Sequence, residues 1–205
     1  MSGEPGPDEY PVVTSRRVFD GRVIALRVDQ VRMSDGAVAA REVVEHPGAV
    51  GVVALDERDR VILVRQYRHP VRGFLDELPA GLLDVPGESA LAGAKRELAE
   101  EARLAADDWH ALIDLHTSPG MTDEAIRVFL ARGLRPAAED GFAAEGEELT
   151  LTVSAEPLDE AVRRALAGEI TNAAAVAGLC AAAVARAGGW AALRPADAPW
   201  PGWSG

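Results

Sequence analysis

The strongest constraint in this sequence is a group of acidic residues with helical spacing. Glu97, Glu100 and Glu101 stand at positions i, i+3 and i+4, which are neighbours on one side of an α-helix. Three carboxylates at that distance repel one another unless they face solvent or share a cation. The sequence therefore predicts either a solvent-facing acidic stripe or a cation site on this helix.

An apolar stripe on the same helix indicates that it packs on a core. Ser89 is a suitable N-cap, so the helix is expected to begin directly after it. The apolar positions that share one face of the helix are Leu91, Ala94, Leu98 and Ala102. Packing through this face would leave the acidic side available to a ligand.

Composition narrows the class of protein. The 205 residues, of which 48% are hydrophobic, suit one ordinary domain with appended elements. The net charge of -12 disfavours a nucleic-acid partner, whose phosphates require basic contacts. Cys180 is the single cysteine, which fits a reducing cytosol. The chain start lacks a secretory pattern and no apolar run reaches membrane length, so we expect a cytoplasmic protein with no membrane partner.

The N-terminal quarter has a strand-like pattern. Residues 1–17 are predicted to form a flexible tail, and residues 18–48 an N-terminal β unit. Within that unit, two apolar strands at 23–28 and 43–44 flank the turn-prone sequence Ser34-Asp35-Gly36. This arrangement predicts a β-hairpin.

The remainder predicts an α/β fold in which a mixed sheet lies between helices. The apolar runs at 50–55 and 61–64 are interpreted as a hairpin of central strands covered on both faces. Further strands are expected near 75–81, 111–115, 125–130 and 149–153, and helices at 158–166 and 172–187. Residues 189–205 have no period and are predicted to be a C-terminal tail.

The acidic helix has the chemistry of a magnesium site. Mg²⁺ prefers oxygen ligands and typically takes one or two protein carboxylates together with substrate phosphates. Gly81 allows a sharp bend that can bring a backbone carbonyl beside the acids, and Arg96 can pair with one of them. A cation held there would neutralise phosphate oxygens and lower the pKa of a bound water. The expected reaction is attack by water on a phosphate.

The acids and their upstream glycine resemble the Nudix box. The matching residues are Gly81, Glu88, Arg96, Glu97, Leu98, Glu100, Glu101 and Leu104. Two positions depart from the family pattern. Six residues instead of five separate Gly81 from Glu88, and Arg103 stands where the family has glycine. Arg103 is expected either to extend the helix or to strain the turn after it.

Companion segments are similar to the ADP-ribose pyrophosphatase group of the Nudix family. These segments are residues 41–48, 64–68, 77–81, 118–124 and 168–172, and the resemblance covers about residues 18–185. It implies a Nudix-type α/β/α sandwich at residues 49–188, with the N-terminal β unit exchanged between the subunits of a homodimer. It also implies Mg²⁺-dependent hydrolysis of ADP-ribose to AMP and ribose 5-phosphate, with Mn²⁺ as a substitute cation.

The resemblance also implies roles for individual residues. The Ala80 carbonyl, Glu97, Glu100 and Glu101 would bind the metal, and Arg96, Glu97 and Glu101 would be catalytic. A general base is expected in the acidic loop at Glu145, and the sequence does not distinguish it from Glu147 and Glu148. The residues implied to bind substrate are Arg41, Arg68, Glu77, Ser118, Gly120 and Glu124.

Three alternatives to ADP-ribose hydrolysis stay open on the sequence. One is hydrolysis of another nucleoside diphosphate sugar, such as GDP-mannose or a UDP-sugar, because the box recognises only the diphosphate. A second is a non-catalytic Nudix domain that senses a ligand. The third is a purely structural acidic helix, since acidic helix faces are common in solvent.

Overall fold

The computed structural model describes residues 10–138 and 150–201, and the chain forms two compact units. The described part of the first unit comprises residues 10–47 together with 118–124. That of the second comprises residues 48–117 together with 125–138 and 150–201. Within the described ranges, no helix has the length and apolar content needed to cross a membrane.

The first unit contains a three-stranded antiparallel sheet. Its strands are β1 (Val12–Asp20), β2 (Ala25–Arg32) and β3 (Val38–Glu45), in that order across the sheet. The turn between β2 and β3 includes Gly36 at φ +85°, a backbone conformation that glycine adopts without strain. The predicted hairpin around Ser34-Asp35-Gly36 is therefore confirmed.

The prediction of a flexible tail through residue 17 is wrong for residues 12–17, which belong to β1. All nine residues of β1 are exposed, so the strand has no buried face and no burial period. What holds it is the hydrogen-bonded pairing with β2, from Val12 opposite Val31 to Asp20 opposite Ala25. Sequence patterns that depend on burial do not detect such a strand.

The described residues of the second unit form two sheets and three α-helices. A five-stranded mixed sheet has the order β11-β8-β9-β4-β7, and a three-stranded antiparallel sheet has the order β10-β5-β6. The strands are β4 (Ala49–Ala54), β5 (Arg60–Arg68), β6 (Gly73–Glu77), β7 (Ala80–Leu82), β8 (Leu104–His116), β9 (Ala125–Pro136), β10 (Thr152–Pro157) and β11 (Arg194–Pro195). The helices are α1 (Ala90–Ala102), α2 (Leu158–Leu166) and α3 (Ala173–Ala187).

The predicted pairing of β4 with β5 is wrong. An isolated bridge between Leu55 and Val61 joins the turn ends of the two strands, but they belong to different sheets. Strand β4 pairs with β9 in parallel on one edge and with β7 on the other, so both of its edges are occupied. The prediction that β4 is covered on both faces is confirmed, because all six of its residues are buried.

Alternate residues of the central strands face two separate cores. Val52 and Phe129 pack with Leu98 of α1 on one face of the mixed sheet. Val53 and Val128 pack with the α2 and α3 side chains on the other face. This arrangement is the expected α/β/α sandwich with a mixed sheet.

The two C-terminal helices match their predicted bounds. Helix α3 begins after Asn172, whose side chain accepts a hydrogen bond from Ala175 N at 2.9 Å, and it ends before Gly188. The segment beyond α3 is more ordered than a tail without period would be. Strand β11 pairs with β8, and the buried Arg127 donates hydrogen bonds to the carbonyls of Ala198 and Pro199.

Candidate active site

Helix α1 carries the acidic residues and is fixed at both ends. The Ser89 hydroxyl accepts a hydrogen bond from Ala92 N at 3.2 Å, as predicted for the N-cap. Ala94, Leu98 and Ala102 are buried against the sheet. The apolar face of the helix therefore sets the direction in which its carboxylates point.

Arg103 ends α1 in the left-handed conformation, at φ 56°. Its N–H donates to Ala99 O at 3.1 Å, which closes the last turn of the helix. Of the two expectations for this residue, the strained turn is correct and the extended helix is wrong. A side chain in this conformation costs about 1 kcal/mol relative to glycine, which explains why glycine suits the position.

Glu101 is partly buried beside the short strand β7. Its Oε2 atom accepts a hydrogen bond from Ala80 N at 2.9 Å. Burial raises the pKa of Glu101 to about 8, the hydrogen bond from Ala80 opposes that rise, and the charge of Glu97 adds to it. A cation would stabilise the charged form of Glu101, because this carboxylate is partly buried and lies near that of Glu97.

Glu97 lies directly over Gly81 of β7. A Cβ atom placed on Gly81 would lie 2.1 Å from Glu97 Cδ and Oε1, closer than any real contact. The glycine is therefore required for the close approach of this carboxylate to the strand. Burial raises the pKa of Glu97, and the neighbouring guanidinium of Arg96 opposes that rise.

Arg96 organises the carboxylates on the exposed side of the site. Its Nε and Nη2 atoms form a two-point pair with Glu88, at 3.1 and 3.0 Å. Its Nη1 atom lies 2.6 Å from Glu97 Oε1 and 3.0 Å from Glu100 Oε2. The hydrogen bonds to Glu88 and the charge of Glu97 raise the pKa of Arg96, which therefore stays charged.

A second buried group lies at the edge of β5 and β6. Glu77 is only 2% exposed, and both of its oxygens accept hydrogen bonds from Arg68, the shortest at 2.7 Å. Gln66 is buried too and donates to Glu77 Oε2 at 3.3 Å. Glu77 thus fixes the plane of the Arg68 guanidinium. The charge of Arg68 lowers the pKa of Glu101 and the charge of Glu77 raises it, so both groups lie near Glu101.

The residues of the site fit a hard divalent cation. Its potential donors are carboxylate oxygens from Glu97, Glu100 and Glu101, and oxygen ligands are those that Mg²⁺ prefers. Glu101 accepts a hydrogen bond from Ala80 N, and Glu97 lies against Gly81, which has no side chain. These two carboxylates therefore lie together against β7. Among the described residues no three side chains form a complete ligand cluster, and Arg96 holds Glu97 and Glu100.

Four of the predicted substrate-binding residues belong to the first unit. Arg41 lies on β3, is exposed, and together with Gly120 lines a cavity of about 390 Å³. Ser118 and Glu124 lie in the same chain segment as Gly120, and Glu124 Oε1 is 3.6 Å from His46 Nε2. The second unit brings together the other predicted site residues: Arg68, Glu77, Ala80, Arg96, Glu97, Glu100 and Glu101.

The candidate general base and two supporting residues show the limits of the sequence patterns. Glu145, Glu147 and Glu148 lie outside the described residues. Sequence patterns assigned no role to Gln66 and no partner to Glu88. Gln66 continues the alternation of Ile62 and Val64 along β5, and a polar residue at such a position is a signal that could have identified it.

Two family models together match most of the chain. The NUDIX domain model matches residues 45–177, and the model for the nucleoside diphosphate sugar hydrolase N-terminal domain matches residues 11–44. The first covers more than half of the chain, so this protein belongs to the Nudix hydrolase family. Members of this family generally use divalent metal cations.

Individual proteins show the same relationship. The chain is 46% identical to an ADP-ribose pyrophosphatase of Mycobacterium tuberculosis over 192 residues, which are 94% of this chain and 91% of that protein. It is 38% identical to an ADP-ribose pyrophosphatase of Bacillus subtilis, over 70% of this chain and 80% of that protein. The fold matches a crystal structure of an ADP compounds hydrolase with a TM-score of 0.76 at 23% identity, over 91% of this chain and 98% of that one.

Proposed function

We propose that this Nudix hydrolase splits the diphosphate of ADP-ribose into AMP and ribose 5-phosphate, with Mg²⁺ as its cofactor and Mn²⁺ as a substitute. The similarity to two ADP-ribose pyrophosphatases supports the choice of substrate. The observation that carries the proposal is the seating of Glu97 and Glu101 against Ala80 and Gly81. A structural acidic helix has no reason to bring two partly buried carboxylates against a strand in that way.

The metal ligands are proposed to be Glu97, Glu100, Glu101 and the Ala80 carbonyl. The Ala80 N–H donates a hydrogen bond to Glu101, so the backbone of β7 at Ala80 lies next to this carboxylate of α1. When bound, the cation supplies positive charge against the diphosphate and makes a water more acidic. Arg96 keeps its place by its two-point pair with Glu88 and orients Glu97 from the side.

Arg68 is proposed to contact a phosphate of the substrate. A guanidinium matches phosphate geometry with two parallel hydrogen bonds. Its orientation is set by Glu77, whose burial favours a role in holding Arg68 over direct contact with the substrate. Glu145 is retained as the proposed general base, with Glu147 and Glu148 as its competitors.

The proposed enzyme is a cytoplasmic homodimer in which the β unit at 18–48 serves the partner's site through Arg41. The single cysteine supports a reducing compartment. The division of the chain near residue 47 supports the proposed start of the Nudix domain at 49. Mixing an Arg41→Ala subunit of reduced activity with a Glu101→Gln subunit of reduced activity tests the exchange. Recovery of activity in the mixture is expected, and a mixture no more active than its parts would contradict shared sites.

The proposed reaction is tested by incubating the protein with ADP-ribose and Mg²⁺ in ¹⁸O-labelled water. Mass spectrometry of the products is expected to find AMP and ribose 5-phosphate, with one label on one of them. The position of the label identifies which phosphorus the water attacks. A panel containing GDP-mannose and UDP-sugars completes the test. A larger kcat/KM for one of these than for ADP-ribose would contradict the proposed substrate.

A further inference from the structure

The segment 118–124 is fastened to strand β3 within the first unit. Val44 N donates to Met121 O at 2.8 Å, and Val44 O accepts from Asp123 N at 3.3 Å. Val44 and Thr122 also form a parallel β-bridge. These bonds hold the segment along the last residues of β3, the strand that carries Arg41.

The Thr122 hydroxyl has a bridging position in this attachment. It donates to Val44 O at 2.9 Å and accepts from Glu124 N at 3.1 Å. A hydroxyl has one proton to donate, and here that proton is used on β3. Removing the hydroxyl would therefore loosen the segment from β3 and would also release the backbone at Glu124.

Asp123 supplies a second attachment point. Its Oδ1 atom accepts from His46 N at 2.9 Å, directly after the end of β3. Its Oδ2 atom lies 3.7 Å from Arg27 Nη1, and Arg27 is itself bonded to Glu45 at 2.9 Å. Two neighbouring side chains, Thr122 and Asp123, thus fix one segment to Val44 and His46 at the end of β3.

The attachment has a consequence for ligand binding, because a cavity lies between the two attached parts. The cavity has a volume of about 390 Å³, within the range of small-molecule sites. Strand β3 contributes Arg41 and Val43 to its lining, and the segment contributes Gly120 and Met121. Its width depends on the spacing between β3 and the segment, to which the side-chain hydrogen bonds of Thr122 and Asp123 contribute together with the backbone bonds of Val44.

We propose that Thr122 and Asp123 are positioning residues, which hold Gly120 at a fixed distance from Arg41 so that the two bind the nucleotide sugar together. This inference rests on the proposed function, since it requires ADP-ribose as the ligand of Arg41. Correct spacing matters because displacement of a binding group by about 1 Å can lower rates by about 100-fold. A merely structural attachment would instead change stability and leave substrate affinity unaltered.

The test compares Thr122→Val, which keeps the shape of the side chain but lacks the hydroxyl, with Thr122→Ser, which keeps the hydroxyl. Thr122→Val is expected to raise KM for ADP-ribose about fivefold, as for the loss of one or two neutral hydrogen bonds, with kcat changed less than about twofold. Thr122→Ser is expected to keep the wild-type KM. An unchanged KM in Thr122→Val, with only a lower Tm, would overturn the positioning role.

Asp123 offers an independent pair of variants, should Thr122→Val fold poorly. Asp123→Ala removes the acceptor for His46 N, and Asp123→Asn retains an oxygen at that place. The KM of Asp123→Ala is expected to rise about fivefold, and that of Asp123→Asn to stay within about twofold of the wild type. Equal KM values in these two variants would count against the proposal.

The link to Arg41 is tested by a double-mutant cycle. In an Arg41→Ala background, Thr122→Val is expected to change KM by less than about twofold, because the residue that it positions is gone. A fivefold effect that persists there would overturn the link. Measuring the turnover of ADP-ribose by the wild type distinguishes a failure of the proposed function from a failure of this inference. Its absence overturns the proposed function and this inference together, whereas turnover with an unaffected Thr122→Val overturns the inference alone.

Discussion

Helices α1 and α3 are alike in their N-caps and in their packing on the sheet, but they differ in the side chains that meet at their closest contact. Each begins after a side-chain N-cap, and they pack on opposite faces of the central sheet. Each also contains or faces a glycine at a close contact. Gly81 lies beneath the carboxylate of Glu97, while Gly178 of α3 lies against Leu78 and Val53.

The difference lies in what the close contact accomplishes. At α3, the missing side chain lets two apolar surfaces meet, which contributes to stability. At α1, it lets a charged group approach a strand, which burial alone disfavours. The raised pKa of Glu97 and Glu101 records that cost. A fold that retains such a cost at one helix and not at the other points to α1 as the functional element.

The largest expected effect is on turnover in Glu101→Gln. The substitution removes an oxygen that we propose binds the metal and leaves the size of the side chain unchanged, so kcat is expected to fall more than about 100-fold. The Tm is expected not to fall, because a neutral amide is easier to bury than a carboxylate. Steady-state kinetics with Mg²⁺ provide the measurement, and Glu57→Gln in the exposed β4–β5 turn is the matched control. Near-normal kcat in Glu101→Gln would contradict the metal role.

The next effect distinguishes the two glycine contacts. Gly81→Ala places a Cβ atom where the Glu97 carboxylate lies, so Glu97 must move away from β7. We expect kcat/KM to fall about tenfold or more, as for the misplacement of a group that supports a metal site, with a far smaller change in Tm. Kinetics at several Mg²⁺ concentrations would measure this. Wild-type activity in Gly81→Ala would show that the contact has no functional purpose.

The counterpart on α3 is Gly178→Val. The added side chain overlaps Leu78 and Val53, and overpacking of this kind lowers the free energy of unfolding by about 2 kcal/mol. The kcat of the folded protein is expected to stay unchanged, since α3 carries no site residue. Chemical denaturation and kinetics on the same sample would provide both numbers. A large loss of kcat without loss of stability would remove the distinction between the helices.

A further effect is the pH dependence of stability without divalent cation. The folded-state pKa of Glu101 is raised to about 8 from an ordinary 4.5, so the folded protein holds this proton more tightly than the unfolded chain does. The resulting contribution is complete below pH 4.5 and is lost as the pH rises towards 8. Denaturation in EDTA is therefore expected to show the wild type losing stability relative to Glu101→Gln over that interval. A stability of the wild type relative to Glu101→Gln that stays constant or rises over that interval would contradict the raised pKa of this carboxyl group.

The smallest expected effect is that of Arg103→Gly. Glycine adopts the left-handed conformation at φ 56° without the steric cost that arginine has, so the free energy of unfolding is expected to rise by about 1 kcal/mol. Denaturation of the wild type and the variant would measure the change. A loss of stability in Arg103→Gly would show that contacts of the arginine side chain outweigh the strain.

These helices also show what the sequence could and could not predict. The bounds of α1 and α3 follow from local signals: the caps Ser89 and Asn172, and the periodic apolar residues. The metal site proposed on α1 rests on the spacing of its acids. Strand partners are a non-local property, and the pairing of β4 with β9 and β7 left no pattern near β4 itself. The hairpin predicted for β4 and β5 was therefore the natural error.

Other features depend on contacts that only the folded chain reveals. Strand β1 is exposed along its whole length, so it has no apolar period to mark it. Arg127 donates hydrogen bonds to the carbonyls of Ala198 and Pro199, which are more than 70 positions away in the sequence. The pairing of Glu77 with Arg68 could not be predicted either, because no sequence pattern indicates that these two side chains contact each other.

The central claim is that α1 binds the metal. Its most direct test is to measure, by electron paramagnetic resonance, the binding of Mn²⁺ to the wild type and to the double variant Glu97→Gln/Glu101→Gln. Gly178→Val serves as the control for a general effect on the fold. We expect Mn²⁺ to bind the wild type and Gly178→Val, competitively with Mg²⁺, and to bind the double variant far more weakly. Equal Mn²⁺ binding by the double variant and the wild type would contradict the assignment of α1 as the metal-binding element.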